Sequence, residues 1–387
     1  MKYVDAFRDA AIAGRLAEAI ADAADPDRTY RYMEFCGGHT HAIARFGIAD
    51  LLPGNVRLIH GPGCPVCVLP VGRIDQAVRL ALEPGVTLCT YGDVMRVPAS
   101  DGLSLLGARA RGADVRMVYS AADVLGVARA NPAREVVFLA IGFETTTPPT
   151  ALLIREVRRE GLRNVSVLCN HVLTPAAMHR LLDESPGPDA SPVPIDGFIG
   201  PAHVSIVIGT RAYERFARDW RRPVVIAGFE PLDVMQAVAM LLRQTREGRA
   251  EVENQFTRAV GPDGNAVARA AIDAVFETAE SFEWRGLGRL AHSALRIRPD
   301  YADVDAERRF GLADRAVPDH PQCACASILR GRLSPPECRL FGTACTPETP
   351  LGPCMVSAEG ACAAHWTYGR FRTAPARAGV ATGEAAG

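Results

Sequence analysis

Three thiols and two imidazoles are concentrated in two short glycine-rich segments, Phe35-Cys36-Gly37-Gly38-His39-Thr40-His41 and Gly61-Pro62-Gly63-Cys64-Pro65-Val66-Cys67. Thiolate sulfur binds soft metals and attacks disulfides, and glycine admits backbone or ligand where a side chain would stand in the way. Together the segments outline a metal or redox site. Cys64 and Cys67 form a C-x-x-C pair just ahead of a helix start, where the helix dipole favours the thiolate and with it metal binding or a reversible disulfide. The plain alternative is a tight turn with incidental thiols. His39 and His41 lie two residues apart; on an extended segment they would share a face and could ligate a metal or shuttle protons. A lone histidine is more often a packing or surface residue. Glu144, with Thr145 and Thr146 after it, could polarise a ligand or cap the following helix. Cys89, Cys169 and His171 read as core or supporting residues.

A second centre lies late in the chain, where six of the 11 cysteines fall between residues 323 and 362. Cys323, Cys338, Cys345 and Cys362 give the pattern C-x14-C-x6-C-x16-C, with Cys325 and Cys354 interleaved. Four soft thiolates from a loop-rich segment suit a [4Fe-4S] cluster or a structural zinc. Zinc ribbons usually pair their ligands as close C-x2-C units. No such pair occurs here, which favours iron and sulfur; unrelated buried cysteines are the bland reading.

Elements must carry these residues to one place. Spacing predicts an N-terminal helix within residues 1–28, packing on the C-terminal part. Short apolar runs predict strands at Tyr30 to Phe35, Val56 to Ile59, Val86 to Thr90 and Val115 to Tyr119. Helical patterns at Ile74 to Leu82, Ser104 to Arg111 and Ala121 to Ala130 alternate with them. The alternation resumes at Glu135 to Ile141, Val165 to Leu168, Gly197 to Ile199 and Val224 to Ala227. Such alternation requires a parallel sheet with covering helices. The expected fold is α/β, with two Rossmann-like parallel-sheet units over 29–131 and 132–231. A mainly helical and loop-rich iron–sulfur domain follows over 232–372, with long helices at Val234 to Thr245 and Ala266 to Glu280. The proline-rich stretch Ser185 to Pro194 reads as a surface linker, and 373–387 as a disordered tail. Ligands gather beyond the carboxyl ends of strands in open α/β sheets. Cys36, Cys64, Asp93, Glu144, His171 and Glu230 all follow such ends.

At 387 residues the chain exceeds one ordinary core, and 48% hydrophobic with 22% charged residues is the balance of a globular protein. A net charge of -1 points to neither nucleic acid nor an acidic membrane surface. No apolar run is long enough to span a bilayer, and no signal-peptide core opens the chain, so the expectation is cytoplasmic. In a reducing compartment clustered cysteines are more often metal ligands or redox catalysts than structural disulfides.

Four segments taken jointly are specific. Glu34-Phe35-Cys36-Gly37-Gly38-His39-Thr40-His41, Gly61 through Cys67, Gly142-Phe143-Glu144-Thr145-Thr146-Thr147-Pro148, and Cys338-Arg339-Leu340-Phe341-Gly342 through Cys362 resemble the motifs of the HypD family of hydrogenase maturation proteins. The likeness runs from about residue 30 to 370, with no departure at any motif cysteine. It implies a scaffold in place of a conventional enzyme. With a HypC-type chaperone such a protein would hold the iron of a [NiFe] hydrogenase while two cyanides and one carbon monoxide are attached, giving the Fe(CN)2CO group. Cyanide would come from a HypE-type donor, carried as a thiocyanate on that protein's C-terminal cysteine. Carried over, Cys36 would ligate iron beside a thiolate of HypC. Cys64 and Cys67 would be a redox-active pair or further iron ligands. Cys323, Cys338, Cys345 and Cys362 would bind a [4Fe-4S] cluster in a thioredoxin-reductase-like third domain, and His39 and His41 could supply protons. Two other classes stay open: a cluster-dependent thiol–disulfide oxidoreductase, and a zinc-stabilised interaction protein.

Overall fold

The computed structural model describes residues 5–183 and 193–371. Most of the linker Ser185 to Pro194 and the expected tail 373–387 lie outside the described residues. Two all-parallel sheets form the body, bearing out the α/β expectation. One sheet contains β1 (Tyr30–Glu34), β2 (Val56–His60), β7 (Gly197–Gly200), β8 (Val224–Ile226) and β9 (Val252–Asn254), in the order β2-β1-β7-β8-β9. The other contains β3 (Val86–Thr90), β4 (Asp114–Met117), β5 (Glu135–Gly142) and β6 (Val165–His171), in the order β4-β3-β5-β6. Strands β3 and β6 are buried along their whole length, as sheets covered on both faces by helices require.

The division at residue 131 is not how the sheets are built. β1 pairs with β7 across more than a hundred residues, at Glu34 with Ile199, whereas β3 pairs with β5, at Val86 with Glu135. The chain starts the first sheet, leaves to build all of the second, and returns. Contiguous units of 29–131 and 132–231 are therefore replaced by two interleaved ones. Each sheet has one place where the strand order reverses, between β1 and β7 and between β3 and β5. Crevices open at such places beyond the strand ends. Cys36 follows β1 at the first, and Asp93 and Glu144 follow β3 and β5 at the second.

The N-terminal helix α1 (Ala10–Ala23) starts at Asp9, whose carboxylate accepts from the Ala11 and Ile12 N–H groups at 2.8 and 3.0 Å. Its buried face, with Ile20, joins a core shared with Val234, Met235 and Val238 of the helix Pro231–Glu247. That helix falls within 232–372 but is the crossover from β8 to β9, so by packing on it α1 covers the first sheet. The helix expected over Ala266 to Glu280 ends at Val275, because Phe276–Thr278 is drawn into an antiparallel pair with Leu295–Ile297. A second pair joins Ser281–Trp284 to Gly288–Ala291. The C-terminal part thus has two small hairpin-like sheets before the cysteine-rich segment, and is less helical than its spacing suggests. Among the described residues no helix is long and apolar enough to cross a membrane.

Candidate metal and redox centre

Cys36 stands at the junction of β1 and helix α2 (Gly37–Phe46), as its N-cap residue. The Cys36 carbonyl accepts the His39 and Thr40 N–H groups at 2.9 and 3.2 Å, and its own N–H donates to Glu34 Oε2 at 3.3 Å. The C-x-x-C turn is laced against it: Gly61 N–H donates to Glu34 O at 3.0 Å and Gly37 N–H to Gly63 O at 3.1 Å. A Cβ on Gly63 would lie 2.4 Å from the Cys36 nitrogen. Neither backbone can yield. Gly63→Ala is expected to destabilise the fold by about 1–3 kcal/mol in denaturant titration. Gly54→Ala, where nothing lies within 4 Å, is the control.

The surroundings of the Cys36 thiol are acidic and dry. Burial, then the carboxylates of Glu359 and Glu34, push it up to about 12, against the pull of the Gly38 and His39 N–H groups. A cation that binds sulfur would reverse this balance, displacing the proton as it coordinates. Glu359 crowds in from the C-terminal segment, so closely that a Cβ on Gly37 would lie 2.4 Å from the Glu359 Cβ. Burial, then repulsion from Asp93 and Glu34, raises Glu359 to about 7. Ser357 ties the same loop to the second sheet through its hydroxyl and Asp93 Oδ2, 3.3 Å apart. Sequence reasoning missed Glu359; its signal is a lone acid inside the otherwise uncharged run from Met355 to Cys362.

Cys64 and Cys67 are joined as a disulfide, both buried. A redox role for the pair would start from this oxidised form, and ligation of iron by either sulfur would require reduction first. Cys64 Sγ accepts the Cys67 N–H at 3.1 Å, and Cys67 Sγ lies 4.0 Å from the carbonyl oxygen of Pro353.

The two histidines do not share a face. Because Gly37–Phe46 is helical, positions 39 and 41 point in different directions. His39 Nε2 lies 3.0 Å from the carbonyl oxygens of both Ala227 and Gly228, to which it donates. Burial lowers its pKa to about 4, so His39 is neutral at pH 7 and fastens α2 to the end of β8. His41 is half-buried, with Nε2 3.1 Å from the Tyr368 hydroxyl. Its pKa is also lowered, by burial and then Arg45.

Glu144 caps a helix, though not the following one. Its two carboxylate oxygens accept the N–H and hydroxyl of Thr174, each at 2.9 Å, at the start of the helix Thr174–Leu182. Burial raises it from 4.5 to about 7. The folded state therefore holds a proton that the unfolded chain has released between those two values. Stability from this group is full below 4.5 and falls as pH rises through 7, by up to about 1.4 kcal/mol per pH unit. Glu144→Gln is expected to flatten that part of the stability profile, measured by denaturant titration between pH 4.5 and 7.5.

The C-terminal cysteines meet as the spacing suggested. Cys323, Cys338, Cys345 and Cys362, together with Cys325 and Cys354, line one cavity whose remaining walls include Ile328, Leu340, Phe341 and Met355. Cys325 and Cys354 hydrogen-bond each other, which holds Cys325 below the usual thiol range and Cys354 well above it; the nearby Arg285 assists the first shift. Burial and then the neighbouring sulfurs push Cys323 up to about 12 and Cys362 higher still. Among the described residues no three thiol, imidazole or carboxylate groups converge on a single point as one metal ion requires. The sulfurs surround a volume. Soft donors, apolar walls and no oxygen ligand fit a multi-atom iron–sulfur group. Cys89 and Cys169 sit apart in the core under the second sheet.

A family model described as HypD, hydrogenase formation hypA family, matches residues 11–369. The chain belongs to the HypD family. A hydrogenase maturation factor HypD of Cupriavidus necator is 63% identical over 97% of this chain and 99% of its own length. The HypD factor of Azotobacter vinelandii is 64% identical over 97% and 98%, and that of Escherichia coli 47% over 95% and 98%. Membership in the HypD family places the chain in hydrogenase maturation.

Proposed function

We propose that the chain is the scaffold on which the iron of a [NiFe] hydrogenase is held while its Fe(CN)2CO group is assembled, in complex with a HypC-type chaperone and supplied by a HypE-type cyanide donor. One observation carries the reading: three sulfur groups follow one another through the molecule. The cysteine cage includes Cys354; the carbonyl of the preceding residue, Pro353, touches Cys67 Sγ; and the turn bearing Cys64 and Cys67 is laced to Cys36. Cys36 would supply the thiolate ligand to the iron cargo. Cys323, Cys338, Cys345 and Cys362 would hold a [4Fe-4S] cluster, which supplies electrons one at a time when bound.

Releasing cyanide from a thiocyanate is a reduction: RSCN and two electrons give RS⁻ and CN⁻. A Cys64/Cys67 dithiol provides both electrons as it closes to the disulfide, losing two protons. Glu359, its pKa raised to about 7 by burial beside Cys36, would take one of them. His39 is held neutral with its Nε2–H committed to two carbonyls, so it orients α2 and relays no proton. A reductase for protein disulfides would have no need of Cys36, the third thiol against which the turn bearing Cys64 and Cys67 is laced. The test is infrared spectroscopy of protein co-purified without oxygen with its HypC-type partner. Cyanide and carbonyl stretches are expected; a complex free of both would defeat the proposal.

A further inference from the structure

Arg285 lies between the two cysteine centres, at the turn joining the strands Ser281–Trp284 and Gly288–Ala291. It is 6% exposed. Its backbone N–H donates to Val68 O at 2.8 Å and its Nε to Leu69 O at 2.9 Å, the two carbonyls that follow Cys67. Nη1 pairs with Asp319. Nη2 is buried and has no hydrogen-bond partner among the described residues. A buried donor on a cation without an acceptor is costly and calls for an explanation. The far side of the turn supplies one. A Cβ on Gly286 would lie 3.0 Å from Ala326 Cα, in the helix Cys325–Leu329 that forms one wall of the cage. The turn that carries Arg285 thus lies between the carbonyls that follow the Cys64–Cys67 turn and the helix that walls the cavity. Its charge and that of Asp319 act in opposite senses on the Cys325 sulfur.

We propose that Arg285 is a positioning residue that sets the reduction potential of the group held in the cage, its unpartnered Nη2–H being the donor kept for sulfur at the Cys325 edge. This rests on the [4Fe-4S] reading above. A cation beside an anionic cluster stabilises the reduced, more negative state, and low dielectric magnifies the effect. The same side chain ties Asp319, at the head of the cysteine-rich segment, to the Leu69 carbonyl after Cys67, holding the two centres in register.

The test uses the full chain purified without oxygen. Iron and acid-labile sulfide are counted first, and the cluster is then titrated potentiometrically by electron paramagnetic resonance. In Arg285→Gln the reduced-to-oxidised ratio at a fixed potential is expected to fall about tenfold, about 59 mV for a one-electron couple. Asp319→Asn removes the opposing charge and is expected to raise the ratio, and Arg285→Lys to restore most of it. Opposite signs at the two positions are what a merely structural role would not produce. Both variants within twofold of the parent, with the cluster present, overturn the role of Arg285 alone. A parent without iron and sulfide overturns the cluster reading and this proposal with it. Should Arg285→Gln lose the cluster, the Asp319→Asn titration decides: a rise upholds the proposal, no shift overturns it.

Discussion

Cys36→Ala is expected to abolish retention of cyanide- and carbonyl-bearing iron, with the infrared stretches of the partner complex falling below detection. No neighbour can substitute. Cys64 and Cys67 are tied to each other, and the two histidines are turned to the Ala227 and Gly228 carbonyls and to Tyr368. Glu34 and Glu359, which crowd Cys36, are hard oxygens poorly matched to iron bearing strong-field ligands. Fold stability should change little, since Cys36 contributes its backbone and not its side chain to the capping of α2. Loss of the stretches with an unchanged denaturation midpoint is the informative result. Stretches that persist in Cys36→Ala would remove Cys36 as the ligand.

Cys345→Ala is expected to cost most of the bound iron, to well under one atom per chain by elemental analysis, and to loosen residues 318–371. That segment has little else to hold it. Its regular elements are no longer than the five-residue helix Cys325–Leu329, joined by single turns such as Pro335–Glu337 and Pro353–Met355. Cys345 is buried at the cage wall and its Sγ accepts the Leu351 N–H at 3.4 Å, so the substitution removes a donor and a loop restraint together. Hydrogen exchange should rise across the segment and leave β3, β5 and β6 protected. Full retention of iron and sulfide in Cys345→Ala would exclude it from the ligand set.

Much of this was legible in the sequence because parallel strands buried on both faces announce themselves as short apolar runs. The turns after β1, β2 and β5 were therefore placed correctly. Sheet membership was not legible: parallel strands carry no local signal of their partners, and β1 pairs with β7 for reasons of packing that spacing cannot express. The two histidines share a face only on an extended run, and the helix Gly37–Phe46 turns them apart. The helix onset at Gly37 was masked by two glycines, which are poor helix formers. Glu144 does cap a helix, but one that reaches it only through the pairing of β5 with β6. Arg285 carried no signal at all. A single arginine between two hairpin strands has meaning only when Val68, Leu69 and Asp319 surround it.

The interleaving of the two sheets bears on the order of events at the ribosome. β1 and β2 emerge first, yet their sheet stays incomplete until residues 197–200 and 224–226 have followed. Meanwhile β3 to β6 are contiguous and can assemble as soon as they are made. The nascent chain would thus display Cys36 early but enclose it late, after the other sheet already stands as a template. Of the two carboxylates that crowd the sulfur, Glu34 is made with β1 and Glu359 arrives last. A product that stops before residue 359 lacks that part of the acidic enclosure, so the iron proposed to sit at Cys36 would meet its dry, guarded form only once Glu359 had been made.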